Sequence, residues 1–229
     1  MRKIRLSNNQ LKLIALLTMT VDHIGMLLFP RVLLFRYVGR LAFPIFAFMI
    51  AEGCSHTRSL PGYLKSMALV AALCQVVSFL ATRSLMMGIF VTFSLSIGLI
   101  MLLKNARQKQ TTGAKLLFFF AVAAVLAITE ALPVLLRGTD FGVDYGFIGV
   151  ALPVCVYAVR GKWPKLAVSA AALSLLAVYS GWVGQWLGLL ALPLLALYNG
   201  QRGKWKLKWL FYLYYPAHLA ILWLIAAIF

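Results

Sequence analysis

Long runs of apolar residues constrain this chain more than any other feature of its sequence. In the stretch from Leu116 to Leu136 almost every side chain is apolar, and comparable runs recur along the 229 residues. The chain is 63% hydrophobic and 12% charged, whereas a soluble domain is about 45–50% apolar and about 25% charged. Because transmembrane β-strands alternate apolar and polar residues, these unbroken runs predict an all-α polytopic membrane protein.

The chain is long enough for about nine membrane-spanning helices, since a helix needs about 20 apolar residues to cross a hydrocarbon layer about 30 Å thick. We find no linker and no internal repeat, which predicts a single transmembrane domain over residues 1–229. Only Ser180 and Gly181 separate the two short apolar runs in 164–198. A pair of re-entrant helices is therefore an alternative there to two membrane-spanning helices. The predicted spans are 11–29, 36–56, 63–81, 84–103, 114–136, 145–160, 164–180, 182–198 and 208–228.

The positions of the basic residues predict how the chain is oriented. A net charge of +17 suggests nucleic acid in a soluble protein, but here the charges lie between apolar runs. Of the 22 basic residues, 17 fall on one side of the predicted membrane, which leaves Arg31, Arg36, Arg40, Arg83 and Arg137 on the other. Since Lys and Arg concentrate in cytoplasmic loops, we expect a cytoplasmic N-terminus and an extracytoplasmic C-terminus. The expected partner of this charge is anionic lipid of the plasma (inner) membrane, with no nucleic acid.

Ionisable residues inside hydrocarbon are costly and mark functional sites, so the acidic residues and histidines deserve inspection first. Asp22 and His23 lie well inside the first predicted span. An imidazole at this depth is a natural proton acceptor, and a nearby carboxylate can orient it. The alternative is a buried His–Asp pair that only locks helices together. The three cysteines lack the spacing of metal ligands, so no metal site is predicted.

The second predicted span carries charged groups at both ends. Arg36 and Arg40 lie one turn apart at its outer end, while Glu52 and His56 lie one turn apart at its inner end. Arg40 enters the membrane at about the level of Asp22, which predicts an ion pair that either neutralises two charges or takes part in catalysis. Pro44 lacks an amide hydrogen and therefore predicts a kink near Arg40.

Three further polar positions leave alternatives open. Asp140 and Asp144 lie in a predicted outer loop, where they either cap a helix or belong to a site. His218 follows Tyr214 by one turn, which predicts either a packing contact or part of a site. Glu130, deep in the fifth predicted span, is expected to join helices through a hydrogen bond.

Four segments of the chain together resemble the TraX family. They are Leu17–Gly25, Gly39–Gly53, Asp144–Val150 and Tyr214–Leu219. The resemblance covers nearly the whole chain, and the order of the four motifs is specific. The family is named for the conjugation protein that N-acetylates F-type pilin. It is similar to the multi-span membrane acyltransferases that modify sugars, in which a first-span histidine is catalytic, and His23 occupies the matching place.

The resemblance implies transfer of an acetyl or other acyl group from acetyl-CoA to an amine or hydroxyl presented at the membrane, such as a pilin-like peptide or a glycan. His23 would act as the base, and Asp22 would orient its imidazole or hold Arg40. Arg40 or a backbone amide near Pro44 would stabilise the oxyanion. The acceptor is expected to contact Glu52, His56, Asp144, Tyr145 and His218. The phosphates of the acyl-CoA donor are expected at Lys12, Arg58 and Lys65.

Two other functions are consistent with the same polar residues. A proton-coupled transporter would use Asp22, Glu130 and His218 as a relay, although such carriers are often built of inverted repeats and the sequence shows none. A non-catalytic membrane assembly factor would dock a partner through its aromatic-rich ends. The assembly factor predicts that His23 can be replaced without loss of activity.

Overall fold

A computed structural model describes residues 5–201, 203 and 208–228, and in these residues the chain is almost wholly helical. Two two-residue strands, β1 (Met86–Met87) and β2 (Gly142–Val143), form one short parallel pair. A π-helix covers Ala127–Ala131 and a 3₁₀-helix covers Val183–Leu190. The α-helices are α1 (Asn8–Leu27), α2 (Leu33–Gly39), α3 (Ala42–His56), α4 (Leu60–Thr82), α5 (Ile89–Lys109), α6 (Thr112–Leu126), α7 (Leu132–Leu135), α8 (Gly146–Ala158), α9 (Lys162–Ser180), α10 (Ala191–Ala196) and α11 (Lys208–Ile228).

The described residues contain six helical stretches that are long and apolar enough to cross a membrane. They are Asn8–Leu27, Leu33–His56, Leu60–Thr82, Ile89–Lys109, Thr112–Leu135 and Lys162–Ser180. Three shorter apolar helices are Gly146–Ala158, Val183–Ala196 and Leu213–Ile228. The all-α prediction is confirmed, whereas the count of nine spans and their orientation stay predictions. The segment predicted as a continuous span at 182–198 begins as a 3₁₀-helix, a form that seldom extends beyond a few residues.

The chain divides into two compact units, residues 1–49 with 159–229 and residues 50–158. The prediction of a single transmembrane domain stays a prediction. In the first unit, α1 packs against both α2 and α11, and the 3₁₀-helix packs against α2 and α9. In the second unit, α5 packs against α4, α6 and α8. The polar residues of the first predicted span therefore lie in the first unit, where two helices flank α1.

Local sequence explains where the helices of the first unit begin and break. Ser7 and Gln10 form a capping box at the start of α1, because each side chain accepts a hydrogen bond from the other residue's backbone amide. α2 ends at Gly39 and α3 begins at Ala42, so the predicted span 36–56 is interrupted at Arg40 and Leu41, where Pro44 was expected to permit a kink. Pro44 lacks the amide that would bond back to the Arg40 carbonyl, which accounts for the break.

Hydrogen bonds join the elements of the second unit. The Thr92 hydroxyl donates to the Asp144 carbonyl at 2.7 Å, and the Ser96 hydroxyl donates to the Val150 carbonyl at 2.8 Å, so α5 is tied to the start of α8. In the preceding loop Asp140 Oδ1 accepts a hydrogen bond from the Leu85 amide at 2.9 Å. Hydrogen bonds from the Ser84 hydroxyl and the Leu85 amide lower the pKa of Asp140. Asp140 therefore ties two loops together.

Candidate functional site

An ion-pair cluster surrounds Asp22 in the first unit. Oδ2 of Asp22 accepts a hydrogen bond from Arg36 Nη1 at 2.8 Å. Arg40 Nη2 lies 3.1 Å from Oδ1 and 3.2 Å from Oδ2 of the same carboxylate. The predicted pair of Asp22 with Arg40 is therefore present, and Arg36 joins it. Because one carboxylate faces two guanidinium groups, the cluster keeps a net positive charge.

Arg40 is held from several directions. Its Nε donates to the Arg36 carbonyl at 3.3 Å, and its Nη1 donates to Gln185 Oε1 at 3.2 Å. The guanidinium also lies over the Trp182 ring, 5.3 Å from the centroid. A planar guanidinium can satisfy these partners at once, which a lysine ammonium cannot. Arg40 is consequently fixed in position, with its side chain 10% exposed against 28% for Arg36.

Gln185 and Trp182 are site residues that the sequence interpretation missed. Both lie in the segment after α9 that was predicted as an apolar span. The indole of Trp182 stacks on Tyr37 at 5.9 Å and folds against Gly184, where a Cβ would overlap the ring. A glutamine inside an apolar run was the available signal, since such an amide needs a polar partner in hydrocarbon. Its partner is Arg40.

His23 is paired with a second histidine, His218 of α11. Nδ1 of His23 lies 2.7 Å from Nε2 of His218, and the ring centroids are 5.0 Å apart. Nδ1 of His218 donates to the Tyr214 carbonyl at 2.8 Å. The ring of Tyr215 meets both imidazoles edge-on, at 5.8 Å and 5.3 Å. The structure thus brings together two histidines that stand 195 positions apart in the chain.

A second hydrogen bond joins α1 to α11, one helical turn from the pair of His23 and His218. The Tyr214 hydroxyl lies 2.8 Å from Thr20 Oγ1, which also lies 2.8 Å from the Leu16 carbonyl. Because a carbonyl only accepts, the Thr20 hydroxyl donates to Leu16 and the Tyr214 hydroxyl donates to Thr20. The ring of Tyr214 stacks on His218 at 5.0 Å. This contact sets the register of α11 against α1 and so positions His218.

Adjacent positions on α1 serve two different neighbours. Successive residues of an α-helix point about 100° apart, so Asp22 and His23 cannot face the same helix. Asp22 faces the guanidinium groups of α2 and the following turn, while His23 faces α11. Of the two roles expected for Asp22, the geometry is that of holding Arg40. The imidazole of His23 contacts His218 and not Asp22.

Five further residues were predicted as binding residues on or between α1, α3 and α4. Lys12 is half-buried on α1 of the first unit, while Arg58 and Lys65 are exposed in the second. Also in the second unit, His56 Nδ1 donates to the Glu52 carbonyl at 2.8 Å and lies 4.0 Å from Glu52 Oε2. The side chain of Glu52 is buried, and that of His56 is 68% exposed. Their assigned binding roles stay predictions.

The loop that contains Asp144 and Tyr145 leads into α8 in the second unit. The Asp144 amide donates to the Met87 carbonyl at 2.9 Å, and Tyr145 adopts a left-handed backbone with φ of 61°. A bulky residue in this region is strained, and such strain is often found at functional sites. Glu130 Oε1 accepts a hydrogen bond from the Phe147 amide at 2.7 Å. The expectation that Glu130 joins helices is confirmed; the roles of Asp144 and Tyr145 stay predictions.

The chain is similar in sequence to a known family and to two curated proteins. The sequence model of a family described as TraX protein matches residues 7–226. Over 38 residues the chain is 47% identical to the uncharacterized protein RP591 of Rickettsia prowazekii. The matched segment is 17% of this chain and 15% of that protein. Over 67 residues it is 39% identical to the probable fimbrial assembly protein FimC, serogroup H1, of Dichelobacter nodosus, covering 28% of each. The chain therefore spans well under half the length of these curated relatives. No solved structure matches it.

Proposed function

Since this chain belongs to the TraX family and holds an oriented histidine beside a cationic cluster, we propose that it is a membrane acyltransferase. It moves an acetyl group from acetyl-CoA to an amine or hydroxyl of a membrane-presented acceptor. The observation that carries the proposal is the hydrogen bond of 2.7 Å between His23 and His218, one residue from the pairing of Asp22 with Arg36 and Arg40. A base and a positive charge are the two groups that acyl transfer needs.

His23 supplies the proton transfer in this proposal. It takes the proton of the acceptor N–H or O–H as that atom attacks the thioester carbonyl carbon, and a new C–N or C–O bond forms. The tetrahedral intermediate collapses when the C–S bond breaks, and the leaving thiolate of coenzyme A takes the proton back from His23. The imidazole ends the cycle as it began. General base catalysis of this kind contributes about 10²–10⁴-fold to a rate.

The cluster around Asp22 supplies positive charge for the oxyanion. Two guanidinium groups share one carboxylate, so a positive charge remains in a region of low dielectric constant, where it acts strongly on a developing negative charge. Arg40 is the expected source and is held still by Gln185 and Trp182. Arg36 is the more exposed of the two and is the guanidinium that a substrate reaches more readily.

The donor and acceptor sites are assigned by the chemistry of their ligands. Lys12, Arg58 and Lys65 are proposed to meet the phosphates of acetyl-CoA. A pilin-like peptide is favoured over a glycan as acceptor, because the Dichelobacter nodosus relative is a probable fimbrial assembly protein. The proposed location is the plasma (inner) membrane, which the six long apolar helices among the described residues would cross. The proposed contacts of the acceptor are Glu52, His56, Asp144 and Tyr145, whereas His218, also expected there, is paired with His23.

The test uses the purified full chain in lipid nanodiscs with labelled acetyl-CoA and either a pilin N-terminal peptide or a glycan. The native protein is expected to transfer label to one acceptor, and His23→Gln to lower kcat by about 10²–10⁴-fold. Thermal unfolding of both proteins shows that the variant is folded. Ion or solute flux in liposomes without acylation would support the transporter instead. Full cellular activity of His23→Gln would support the assembly factor.

A further inference from the structure

The hydrogen bonds of His218 determine which of its nitrogens carries hydrogen. Nδ1 of His218 lies 2.8 Å from the Tyr214 carbonyl oxygen. A carbonyl oxygen can only accept a hydrogen bond, so Nδ1 of His218 must carry a hydrogen. A neutral imidazole has one N–H, and Nε2 of a neutral His218 is therefore a lone-pair acceptor. That acceptor faces α1.

The same reasoning then assigns the hydrogen of His23. Nδ1 of His23 and Nε2 of His218 are 2.7 Å apart, a distance at which the two nitrogens share a single hydrogen. Since Nε2 of neutral His218 accepts, Nδ1 of His23 donates. The one hydrogen of a neutral His23 is thereby placed on Nδ1. Its other nitrogen, Nε2, keeps a lone pair and is the basic atom of the ring.

The second nitrogen of His23, Nε2, has no hydrogen-bond partner among the described residues, which are 5–201, 203 and 208–228. No side-chain nitrogen or oxygen in these residues is both buried and without a hydrogen-bond partner. It follows that Nε2 of His23 is not completely enclosed and keeps some contact with solvent. A base needs this access to meet the proton that it removes.

We propose that His218 is a positioning residue that holds His23 in the Nδ1–H tautomer, so that the acceptor gives its proton to Nε2 of His23. The proposal rests on the proposed acyl transfer and names the atom that accepts the proton. It gives His218 a role other than the substrate contact expected from the sequence. Asp22 does not take this role, because its carboxylate is occupied by Arg36 and Arg40.

A neutral imidazole suits this position better than a carboxylate. When Nε2 of His23 takes the proton, its Nδ1–H bond to His218 becomes charge-assisted and therefore stronger. The hydrogen between the rings can also move to His218, whose own Nδ1–H stays bonded to the Tyr214 carbonyl. The positive charge is then spread over both rings. A second carboxylate would instead cancel the positive charge that Arg36 and Arg40 leave for the oxyanion.

Two variants of His218 separate this role from simple packing. His218→Gln places an amide oxygen near the position of Nε2, where it can accept from His23 Nδ1. His218→Asn is too short to reach His23 but keeps an amide that can donate to the Tyr214 carbonyl. We expect His218→Gln to retain kcat within about threefold and His218→Asn to lose at least about tenfold, with KM for acetyl-CoA changed little in both.

Nitrogen NMR reads the tautomer directly and does not depend on activity. The chain contains three histidines, so a protein with ¹⁵N-labelled histidine shows three rings, which His56→Gln and the His218 variants assign. A ring nitrogen with a lone pair resonates far downfield of one that carries hydrogen. We expect His23 to show hydrogen on Nδ1 and a lone pair on Nε2 in the native protein and in His218→Gln. In His218→Asn a mixture of tautomers is expected.

The outcomes distinguish this inference from the proposed function. Hydrogen on Nε2 of His23 in the native protein would overturn the inference, as would a His218→Asn protein with unchanged kcat and tautomer. The expected tautomer in a protein that acylates no acceptor would support the assignment of the hydrogen and contradict the acyltransferase. Loss of kcat in both variants, with the native tautomer kept in both, would show that His218 acts in another way and would also overturn the inference.

Discussion

Asp22 of α1 packs directly against Gly39 of α2, and its carboxylate fills the space that a side chain at position 39 would occupy. Small residues let transmembrane helices approach closely, and here the approach brings the carboxylate within reach of Arg36 and Arg40. Gly25 serves the same packing further along, where a Cβ would overlap Phe35. The ion-pair cluster therefore depends on backbone contact between two helices.

Gly39→Ala is expected to disturb the cluster, because the new methyl group displaces the Asp22 carboxylate. Overpacking of this kind costs about 1–3 kcal/mol, and we expect kcat to fall with the unfolding temperature. Gly98→Ala in α5 is the matched control, since a Cβ there meets nothing within 4 Å. Thermal unfolding and acyl transfer of both variants check this. Equal stability of the two proteins would contradict the packing argument.

Asp22→Asn is expected to destabilise the protein strongly, because it leaves two guanidinium groups without their carboxylate. Removing one partner of a buried ion pair costs about 3–5 kcal/mol, and the Asp22 and Arg40 side chains are only 13% and 10% exposed. The double variant with Arg40→Gln removes one excess charge and should recover part of this loss. Unfolding of the four proteins of the cycle gives the coupling free energy. Purely additive losses would show that the pair is not coupled.

Arg40→Lys is expected to lower kcat by about tenfold or more. A lysine ammonium cannot bond Asp22, Gln185 and the Arg36 carbonyl in the planar arrangement that the guanidinium uses. Arg31→Lys, at an exposed position of the turn between α1 and α2, makes the same chemical change and should be silent. Steady-state acyl transfer compares the two. A fully active Arg40→Lys protein would mean that a positive charge at position 40 is sufficient for activity, whatever its hydrogen-bond geometry.

Tyr214→Phe removes the hydrogen bond to Thr20 but keeps the ring that stacks on His218. A hydrogen bond contributes about 1 kcal/mol to stability, so a small loss of unfolding free energy is expected, with most activity retained. Tyr157→Phe is the control, because among the described residues no hydrogen bond to the Tyr157 hydroxyl occurs. A large loss of activity in Tyr214→Phe at unchanged stability would give the Tyr214 hydroxyl a chemical role.

Glu130→Gln tests the transporter alternative, in which Glu130 carries protons. The amide oxygen of glutamine can still accept from the Phe147 amide, so stability and acyl transfer are expected to be nearly unchanged. Glu130→Ala leaves that amide without its acceptor and should cost about 1–3 kcal/mol. Unfolding and acyl-transfer measurements on both variants decide whether Glu130 has a structural role or carries protons. Loss of activity in a stable Glu130→Gln protein would instead favour a proton relay.

The sequence alone determined the fold class of this protein and identified most of the polar residues in the candidate site. Unbroken apolar runs leave only helices as structures able to satisfy their backbone groups in a membrane, and most residues of the predicted spans are helical among those described. The predicted span 84–103 is an exception at its start, because β1 occupies Met86–Met87 and the helix begins at Ile89. Depth along the first two spans was enough to predict that Asp22 meets Arg40. Helix rise is a constant, so distances along a helix can be obtained by counting residues.

Only the tertiary structure decided which neighbour each polar side chain faces. That Asp22 faces α2 while His23 faces α11 depends on how α1 is rotated about its axis, and packing against both neighbours sets this rotation. The contacts of Gln185 and Trp182 with Arg40 likewise depend on a 3₁₀-helix beside α2 that apolar composition does not reveal. Composition and spacing describe each helix by itself, whereas the pairing of His23 with His218 depends on which helices become neighbours.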